Sequence, residues 1–492
     1  MDIYYKILEN PCKLCKNHFI YQKGLNTVTG SDFDLELETR TTFWITELDH
    51  IEKFYDRGVI LATIKLPTDD PDFKMIKYDN RRQLNMSKKY SLYNKIIICE
   101  MYSLYDIKTY EKFGLDILKN TNIVNFASRD NNIKFLNWFL NSGLELPYDT
   151  NAIKNASWEG HINVLDWWVN SGLELRYDNS AIRSASLCGH VNVLEWWLNS
   201  GLELRYGNDA IILTWNGYIN AQNVLDWWLH SGLELRYDTQ AIACASAEGH
   251  VNILDWWLNS GLELKYDNEA IKRASSEGCT NVLDWWLNSG LELRYDSEPI
   301  MHASWYGHVN VLDWWLNSGL ELKYNPNAIE RASSKGQINV LNWWLHSGLE
   351  LRYDNRAIES ASAWDHVNVL NWWLNSGLEL IYDNNAIVCA SYMGHVNILD
   401  WWLNSGLELK YNEKAMDYSA TKCIKWWIKS GLPVKSTINI IHWACEKGHL
   451  DILEAWYEMG YPFGSVEKSL GLAFENNHLE IINWFQKMGF GK

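Results

Sequence analysis

Two cysteines and a histidine near the start of the chain have the spacing of metal ligands. Cys12 and Cys15 are separated by two residues, and His18 follows three residues later. A structural zinc ion needs four ligands, and no second Cys/His pair stands nearby in the sequence. Only the fold could bring in His50 or Cys99 as further ligands. We therefore expect ordinary thiols here, with no metal ion and no other cofactor.

A second group of candidate chemical residues is a histidine that recurs after a glycine. It occurs, for example, at Gly189-His190, Gly249-His250, Gly307-His308, Gly394-His395 and Gly448-His449. Histidine can act as a base or as a metal ligand. A side chain that returns in unit after unit more often serves the turn in which it lies. The sequence also contains no glycine-rich phosphate loop, nucleophile elbow or zinc-protease helix, so we expect no enzyme activity.

Tryptophan is the most unusual feature of the composition, with 29 among 492 residues. Many occur in adjacent pairs such as Trp256-Trp257. Exposed aromatic rings can stack on nucleic-acid bases, but such sites also carry a basic groove. This chain has 44 Lys and Arg against 61 Asp and Glu, which argues against nucleic acid as a partner. Adjacent helix residues point about 100° apart, so we expect one tryptophan of each pair in the core and the other at its edge.

A repeated segment organises most of the chain. The segment YDNEAIKRASSEGCTNVLDWWLNSGLELR, from Tyr266 to Arg294, has near copies on both sides. A glycine closes each copy: Gly143, Gly172, Gly201, Gly232, Gly261, Gly290, Gly319, Gly348, Gly377, Gly406, Gly431, Gly460 and Gly489. The spacing is 29 residues except for 31 before Gly232 and 25 before Gly431. A period of this length indicates a repeat solenoid, here of thirteen units with an incomplete unit before them.

Each unit is predicted to form two short helices. In the unit 266–294, Asp267 is placed to cap the first helix, and Gly290 is placed to end the second. Apolar or small residues recur at helical spacing in both helices: Ile271, Ala274 and Ser275 in the first, and Val282, Leu283, Trp286 and Leu287 in the second. One helix pair cannot bury such faces alone, so the units must stack on one another.

The repeated pattern resembles the ankyrin repeat. The consensus A-I-x-x-A-S-x-x-G-H-V-N-V-L-D-W-W-L-N-S-G-L-E-L corresponds to P-L-H-x-A-A, then G-H, an aliphatic helix and G-A-D-V. The usual ankyrin period is about 33 residues, so this unit is shorter in the β-turn finger. Short Trp-Trp repeats of this kind are similar to those in proteins of Mimivirus-type giant DNA viruses. The resemblance implies an all-α, ankyrin-like helix-turn-helix solenoid over residues 96–492.

Residues 1–95 break the period and are predicted to form a small α+β module. Alternating residues at 33–38 and around Trp44 favour strands, and HIEKFYDRG favours a short helix. The segments FIYQKGLNT and TTFWITELDHIEKFYDRG are similar to the leader domain found before ankyrin repeats in those viral proteins. That leader has no established chemistry to carry over.

Function is predicted from the positions that vary between units. These are the two residues after each Ala-Ile and the two after each Ala-Ser, which we expect at the surface. Aromatic residues and arginines there are typical of interface centres, although neutral drift of exposed positions would also produce variation. The candidate partner-binding residues are Lys154, Trp158, Arg183, Lys272, Arg273, Trp305, Tyr306, Glu330, Arg331, Glu359, Trp364 and Tyr392.

We therefore predict a non-catalytic scaffold or adaptor, monomeric, that binds a protein partner along the repeat surface. No apolar run of about 18 residues occurs, and the first residues lack the apolar core of a secretory signal. The nine cysteines form no disulfide framework. We expect a soluble protein without membrane contact, in the cytoplasm, which for a viral protein is that of the host cell. The alternative is an enzyme or modifier in residues 1–95, with the repeats recruiting its substrate.

Overall fold

The computed structural model describes residues 3–9, 21–27, 43–77, 91–145, 147–211, 221–417, 419–435, 440–464 and 466–490. Two compact units make up the chain, Met1–Asp238 and Thr239–Lys492. The Cys12, Cys15 and His18 cluster and the alternating residues 33–38 lie outside the described residues. So does most of the two-residue insertion that lengthens the spacing before Gly232.

The first unit begins with two antiparallel sheets. Their strands are β1 (Tyr4–Leu8), β2 (Gly24–Thr27), β3 (Phe43–Ile45), β4 (Ile60–Lys65), β5 (Met75–Lys77), β6 (Ser91–Tyr93) and β7 (Lys95–Ser103). The strand orders are β1-β4-β7-β2 and β3-β6-β5. A 3-10 helix, Leu48–Arg57, covers the predicted helical segment. These elements confirm the α+β module, while the division of the chain at residue 95 stays a prediction, since β7 extends to Ser103.

Burial in this module follows the pleat of its strands. In β7 the side chains of Ile96 and Ile98 are buried, whereas those of Lys95 and Ile97 are partly exposed. Successive side chains of a strand point to opposite faces, so one face of the sheet carries the core. Ile64 of β4 packs in the same apolar cluster as Ile96 and Ile98.

Helix pairs follow the sheets in the first unit. They are preceded by α1 (Ile107–Phe113), which ends at Gly114 in the left-handed conformation. The helices that follow are α2 (Ile123–Arg129), α3 (Ile133–Ser142), α4 (Asn151–Trp158), α5 (Ile162–Asn170), α6 (Asn179–Leu187), α7 (Val191–Asn199) and α8 (Ala221–His230). Two further 3-10 helices are Ile117–Lys119 and Asn208–Ala210.

The second unit continues the same pattern. Its helices are α9 (Thr239–Ala247), α10 (Val251–Asn259), α11 (Asn268–Ser276), α12 (Thr280–Asn288), α13 (Glu298–Tyr306), α14 (Val309–Asn317), α15 (Asn327–Ser334), α16 (Ile338–His346), α17 (Asn355–Ala363), α18 (Val367–Asn375), α19 (Asn385–Met393), α20 (Val396–Asn404), α21 (Lys414–Asp417), α22 (Thr421–Lys429), α23 (Ile440–Lys447), α24 (Leu450–Glu458), α25 (Val466–Glu475) and α26 (Leu479–Lys487). The predicted fold class, helix pairs at a 29-residue period, is confirmed.

The local signals of the repeat act as the sequence predicts, with one exception. The Asp267 carboxylate accepts a hydrogen bond from the Glu269 backbone N–H and caps α11. Gly290 follows α12 with φ +76°, a conformation that glycine adopts without steric cost. Val282, Leu283 and Trp286 are buried, but Leu287 is 37% exposed. The prediction for Leu287 was wrong, because the buried face of the second helix is narrower than its apolar pattern.

The second tryptophan of each pair connects neighbouring helix pairs through the core. Trp286 is 1% exposed, and its indole N–H donates to the Ser246 hydroxyl of the preceding helix pair at 3.2 Å. The same bond recurs at 2.9 to 3.3 Å along the chain, for example from Trp315 to Ser275 and from Trp344 to Ser304. A buried indole N–H without an acceptor would cost free energy, so the serine of the Ala-Ser pair has a defined role.

The first tryptophan lies at the edge of the core in most pairs, as predicted, but in the pair Trp256-Trp257 both rings are buried, and there the prediction was wrong. Trp285 is half-buried and donates to the Asp255 carboxylate of the preceding helix pair at 2.7 Å. Its ring meets that of Trp286 edge-on, with centroids 5.1 Å apart, a favourable aromatic geometry. Both tryptophans therefore join one helix pair to the one before it.

The recurrent histidines also serve the stacking of helix pairs. Nε2 of His366 lies 3.1 Å from the Ser334 backbone carbonyl of the preceding pair. The imidazole rests on Gly336, where an added Cβ would lie 3.0 Å from the ring. These contacts confirm a structural role for the histidine, although it extends to the neighbouring pair and not only to its own turn.

The shortened repeat before Gly431 loses helix rather than loop. Its first helix, α21, spans only Lys414–Asp417. The Ala420 backbone N–H donates directly to the Ser391 carbonyl of the preceding pair at 2.9 Å. Trp427 still reaches the Ser391 hydroxyl at 2.9 Å. The buried Trp–Ser bond is therefore kept where the period is not.

Replacing either tryptophan of one pair by phenylalanine should separate their contributions. We expect Trp286→Phe to destabilise its helix pair by about 2 to 3 kcal/mol, because it leaves a cavity and an unpaired Ser246 hydroxyl. Trp285→Phe should cost under about 1 kcal/mol, because its bond is exposed. Native-state hydrogen exchange of the peptides covering α11 and α12 measures both. Equal losses would contradict the proposed role of the buried bond.

Two glycines with nearly the same backbone provide a second comparison. Gly336 and Gly348 have φ of +72° and +75°, but a Cβ on Gly348 would meet no atom within 4 Å. Alanine at either position costs about 1 kcal/mol in backbone strain. Gly336→Ala should cost roughly 1 to 2 kcal/mol more, because it displaces His366 from its carbonyl acceptor. Urea unfolding of the full chain followed by circular dichroism measures the difference, and identical midpoints would refute it.

Candidate partner-binding surface

The candidate residues of the second unit lie along its first helices or at the residue that follows each one. We call the following set the first-helix strip: Lys272, Arg273, His302, Trp305, Tyr306, Glu330, Arg331, Lys335, Glu359, Trp364 and Tyr392. The helices that carry it, α11, α13, α15, α17 and α19, pack side by side in this order. Equivalent positions therefore become neighbours across successive helix pairs.

The varied positions are not all at the surface. Ser276 and Ser334 are buried, and their hydroxyls donate to the Lys272 and Arg331 carbonyls of their own helices at 2.9 and 2.8 Å. For these two serines the predicted surface position was wrong, because a small side chain there turns back onto its helix. Ser184, Leu187 and Ala243 occupy other varied positions and are also buried, so variation between units does not by itself mark the surface.

The three candidate residues of the first unit lie on two successive first helices. Lys154 and Trp158 belong to α4, and Arg183 belongs to α6. Trp158 is 41% exposed, while its backbone carbonyl lies 3.0 Å from Nε2 of His190. Arg183 forms an ion pair with Asp209 at 3.0 Å. Trp158 is thus the member of this group with an exposed apolar surface.

Several charged residues of the strip are neutralised by neighbours. Glu269 binds both Lys272 and Arg273, and Lys272 also lies 3.3 Å from Glu298. The Arg273 guanidinium further donates to the Gln240 side chain at 2.9 Å. A partner would have to break or share these contacts, so this end of the strip offers little free charge.

The two glutamates of the strip have contrasting surroundings. Glu330 lies 3.3 Å from the Arg356 guanidinium. Burial, together with the nearby charge of Asp383, raises the pKa of Glu359 above its usual value. The Cys389 thiol lies 3.7 Å from a Glu359 carboxylate oxygen, and burial raises the pKa of that thiol to about 11. Cys389 is therefore protonated near neutral pH and a poor nucleophile.

The centre of the strip is a group of aromatic and cationic side chains that we call the aromatic–cation cluster: His302, Trp305, Tyr306, Arg331, Lys335 and Trp364. The Trp305 and Tyr306 rings stack with centroids 5.2 Å apart. The Arg331 guanidinium lies 5.2 Å from the Trp305 ring. The Lys335 ammonium lies 5.8 Å from Trp305 and 5.9 Å from Trp364. The cluster thus joins three successive helix pairs.

Three nitrogen atoms of this cluster are buried and lack a hydrogen-bond partner: His302 Nδ1, Trp305 Nε1 and Arg331 Nε. Such atoms are uncommon in native proteins, because each costs about 1 to 3 kcal/mol. The paired tryptophans of the repeat behave differently, as Trp285 and Trp286 both donate to a neighbouring helix pair. These three unmet hydrogen bonds therefore lie at positions that vary between units, and not at the recurrent positions of the repeat.

The charge of the cluster comes from Arg331 and Lys335. Burial lowers the pKa of His302, with a further contribution from the Lys272 charge, so this imidazole is neutral near pH 7. Among the residues that the structure describes, neither Arg331 nor Lys335 forms an ion pair. Other basic side chains of the same unit do, as Arg352 does with Glu350 at 3.0 Å.

Sequence reasoning singled out Trp305, Tyr306, Arg331 and Trp364 but missed two members of the cluster. Lys335 and His302 are at varied positions, yet nothing in their own repeat marks them. Lys335 stands 30 residues after Trp305 and 29 before Trp364, and that spacing is the signal that could have identified it. The described residues contain no group of three or more His, Cys, Asp or Glu side chains arranged to hold a metal ion. In the same part of the chain, no helix has the length and apolar character needed to cross a membrane.

Comparison with known proteins identifies relatives in Acanthamoeba polyphaga mimivirus. An uncharacterized protein of this virus is 37% identical over 116 residues, which are 24% of this chain and 34% of that protein. A protein named as an ankyrin repeat protein is 29% identical over 132 residues, 26% of this chain and 61% of that protein. Another uncharacterized protein is 32% identical over 129 residues, 25% of this chain and 85% of that protein.

No family model matches the sequence. Among solved structures, the crystal structure of the human ASB11 ankyrin repeat domain is similar at 17% sequence identity, with a TM-score of 0.31. The match covers 37% of this chain and 92% of that domain. The chain spans about a third of the first viral relative and three-fifths of the second.

Proposed function

Because this chain belongs to a mimivirus family of ankyrin repeat proteins, we propose that it is a non-catalytic scaffold that binds a protein partner along the first-helix strip. The observation that carries the proposal is the exposure of large aromatic rings on one side of the first helices. Tyr306 is 48%, Trp364 58% and Tyr392 61% exposed. Interfaces are enriched in tyrosine and tryptophan relative to the rest of the surface.

The framework of the repeat gives these rings no structural function. The paired tryptophans and the recurrent histidines bond to the preceding helix pair, and the Ala-Ser serines accept from the tryptophans of the following pair. Trp364 and Tyr392 stand outside this network, and removing such rings from water is favourable when a partner covers them. In this proposal, the N-terminal module would connect the bound partner to a second component.

Truncating two exposed rings should weaken partner binding without unfolding the chain. We expect Tyr306→Ala with Trp364→Ala to reduce affinity by about 2 kcal/mol or more, since interface aromatics of this kind are frequent hot spots. Trp305 is left intact because it is half-buried, and its loss would perturb packing. The measurement is quantitative affinity purification from Acanthamoeba cells, followed by titration of each recovered partner against purified chain.

The matched control is Leu374→Ala with Leu403→Ala. Both leucines are 37% exposed and lie at the second helices α18 and α20, away from the strip. Circular dichroism should show unchanged helical content for both double variants. Recovery of the same partners with the same affinities by the Tyr306/Trp364 variant would leave neutral drift as the better explanation of the varied positions.

A further inference from the structure

The aromatic–cation cluster has the composition of a subsite for a negatively charged group. The whole chain carries a net charge of −17, yet Arg331 and Lys335 stand one helical turn apart without an ion pair among the described residues. An opposite charge close to such cations is attracted more strongly where the surroundings are partly buried than in bulk water. The site is therefore electrostatically unlike the acidic surface around it.

The unmet hydrogen bonds of the cluster indicate the same kind of ligand. Trp305 Nε1 and Arg331 Nε are donors, and His302 Nδ1 can donate in one of its two neutral tautomers. Each of these buried N–H groups could donate to an oxygen acceptor that displaced the neighbouring side chains. A carboxylate supplies several acceptor sites on two oxygens, and hydrogen bonds to an ionised acceptor are about twice as strong as neutral ones.

We propose that the aromatic–cation cluster binds a carboxylate side chain of an acidic peptide segment in the partner, with apolar residues of that segment covering Tyr306 and Trp364. The inference rests on the proposed function and adds the chemistry of the partner. The Lys335 ammonium lies within 6 Å of both the Trp305 and Trp364 rings. An extended peptide advances about 3.3 Å per residue, so residues on either side of the acid reach both rings.

Nucleic acid is the less favourable occupant of this surface. A nucleic acid presents a continuous row of phosphates, whereas the first helices on either side of Arg331 and Lys335 carry the carboxylates of Glu298 and Glu359. A single carboxylate between Arg331 and Lys335 avoids most of that repulsion, because screened interactions decay over about 8 to 10 Å at ordinary salt. The observations thus favour a peptide acid over a polyanion.

The test uses the full chain and a displayed library of random peptides. Peptides selected on the wild-type chain are synthesised with a fluorescent label and titrated by anisotropy. We expect them to carry Asp or Glu beside aromatic or aliphatic residues and to bind more weakly as salt rises. Arg331→Gln with Lys335→Gln should weaken binding by about tenfold or more. Asp→Asn or Glu→Gln in the peptide should have a similar effect on the wild-type chain and little further effect on the variant.

The control removes two positive charges at other positions of the same unit. Lys323 and Arg352 lie over the rings of Tyr295 and Tyr324, away from the cluster, and Lys323→Gln with Arg352→Gln should change affinity by less than about twofold. Because Arg331 packs against Trp305, the exposed Lys335→Glu variant repeats the test without disturbing that contact. It should weaken binding more than Lys335→Gln.

Three outcomes would overturn the carboxylate subsite. The selected peptides would carry no acidic residue, the Arg331/Lys335 variant would bind them as tightly as the wild type, or only their phosphoserine versions would bind. If binding is lost in the Tyr306/Trp364 variant but kept in the Arg331/Lys335 variant, the subsite fails while the proposed function stands. Selected peptides that bind equally to both variants would remove the proposed function as well.

Discussion

A buried hydrogen bond between an indole N–H and a serine hydroxyl determines how the helix pairs of this chain stack. Tryptophan can be buried at low cost only if its N–H finds an acceptor, and one helix pair has none to offer. The acceptor lies in the preceding pair, as Ser246 does for Trp286. Where the spacing lengthens or shortens, the bond is kept, from Trp228 to Ser186 and from Trp427 to Ser391. In these two irregular units the bond is therefore kept although the period changes.

This constraint explains why so much of each unit is invariant. The first tryptophan, the recurrent histidine, and the Tyr-Asp and Leu-Glu-Leu segments all make contacts that cross to a neighbouring pair. Arg294, for example, lies over the Tyr266 ring and donates to its carbonyl at 3.3 Å. A change at any of these positions disturbs two helix pairs at once. The positions that vary lie on the first helix and its turn, and their side chains take no part in these recurrent contacts.

The sequence predicts the local parts of this architecture well and the contacts between units poorly. The two helices of each unit, the Asp267 cap and the division of most tryptophan pairs follow from local signals that a single unit displays. The serine that accepts from Trp286 lies 40 residues away, and no local pattern identifies it. Burial of Ser276, exposure of Leu287 and the place of Lys335 in the cluster also depend on the stacking geometry. The candidate surface could therefore be located from the sequence, but not its internal pairing.

The separation between recurrent framework positions and varied outward positions also affects how such a chain acquires binding specificity. Stability resides in framework contacts that repeat from pair to pair, so an outward residue can change without affecting the fold. Side chains 29 or 30 residues apart then meet, as Trp305, Lys335 and Trp364 do. A binding site here is composed across repeats, and each repeat contributes one or two residues to it. Unmet hydrogen bonds at such a site lower the stability of the fold. The stacking contacts on both sides of the site offset that loss. The recurrent residues of the repeat thus hold the helices in fixed positions. The residues that vary between repeats supply the side chains that can bind a partner.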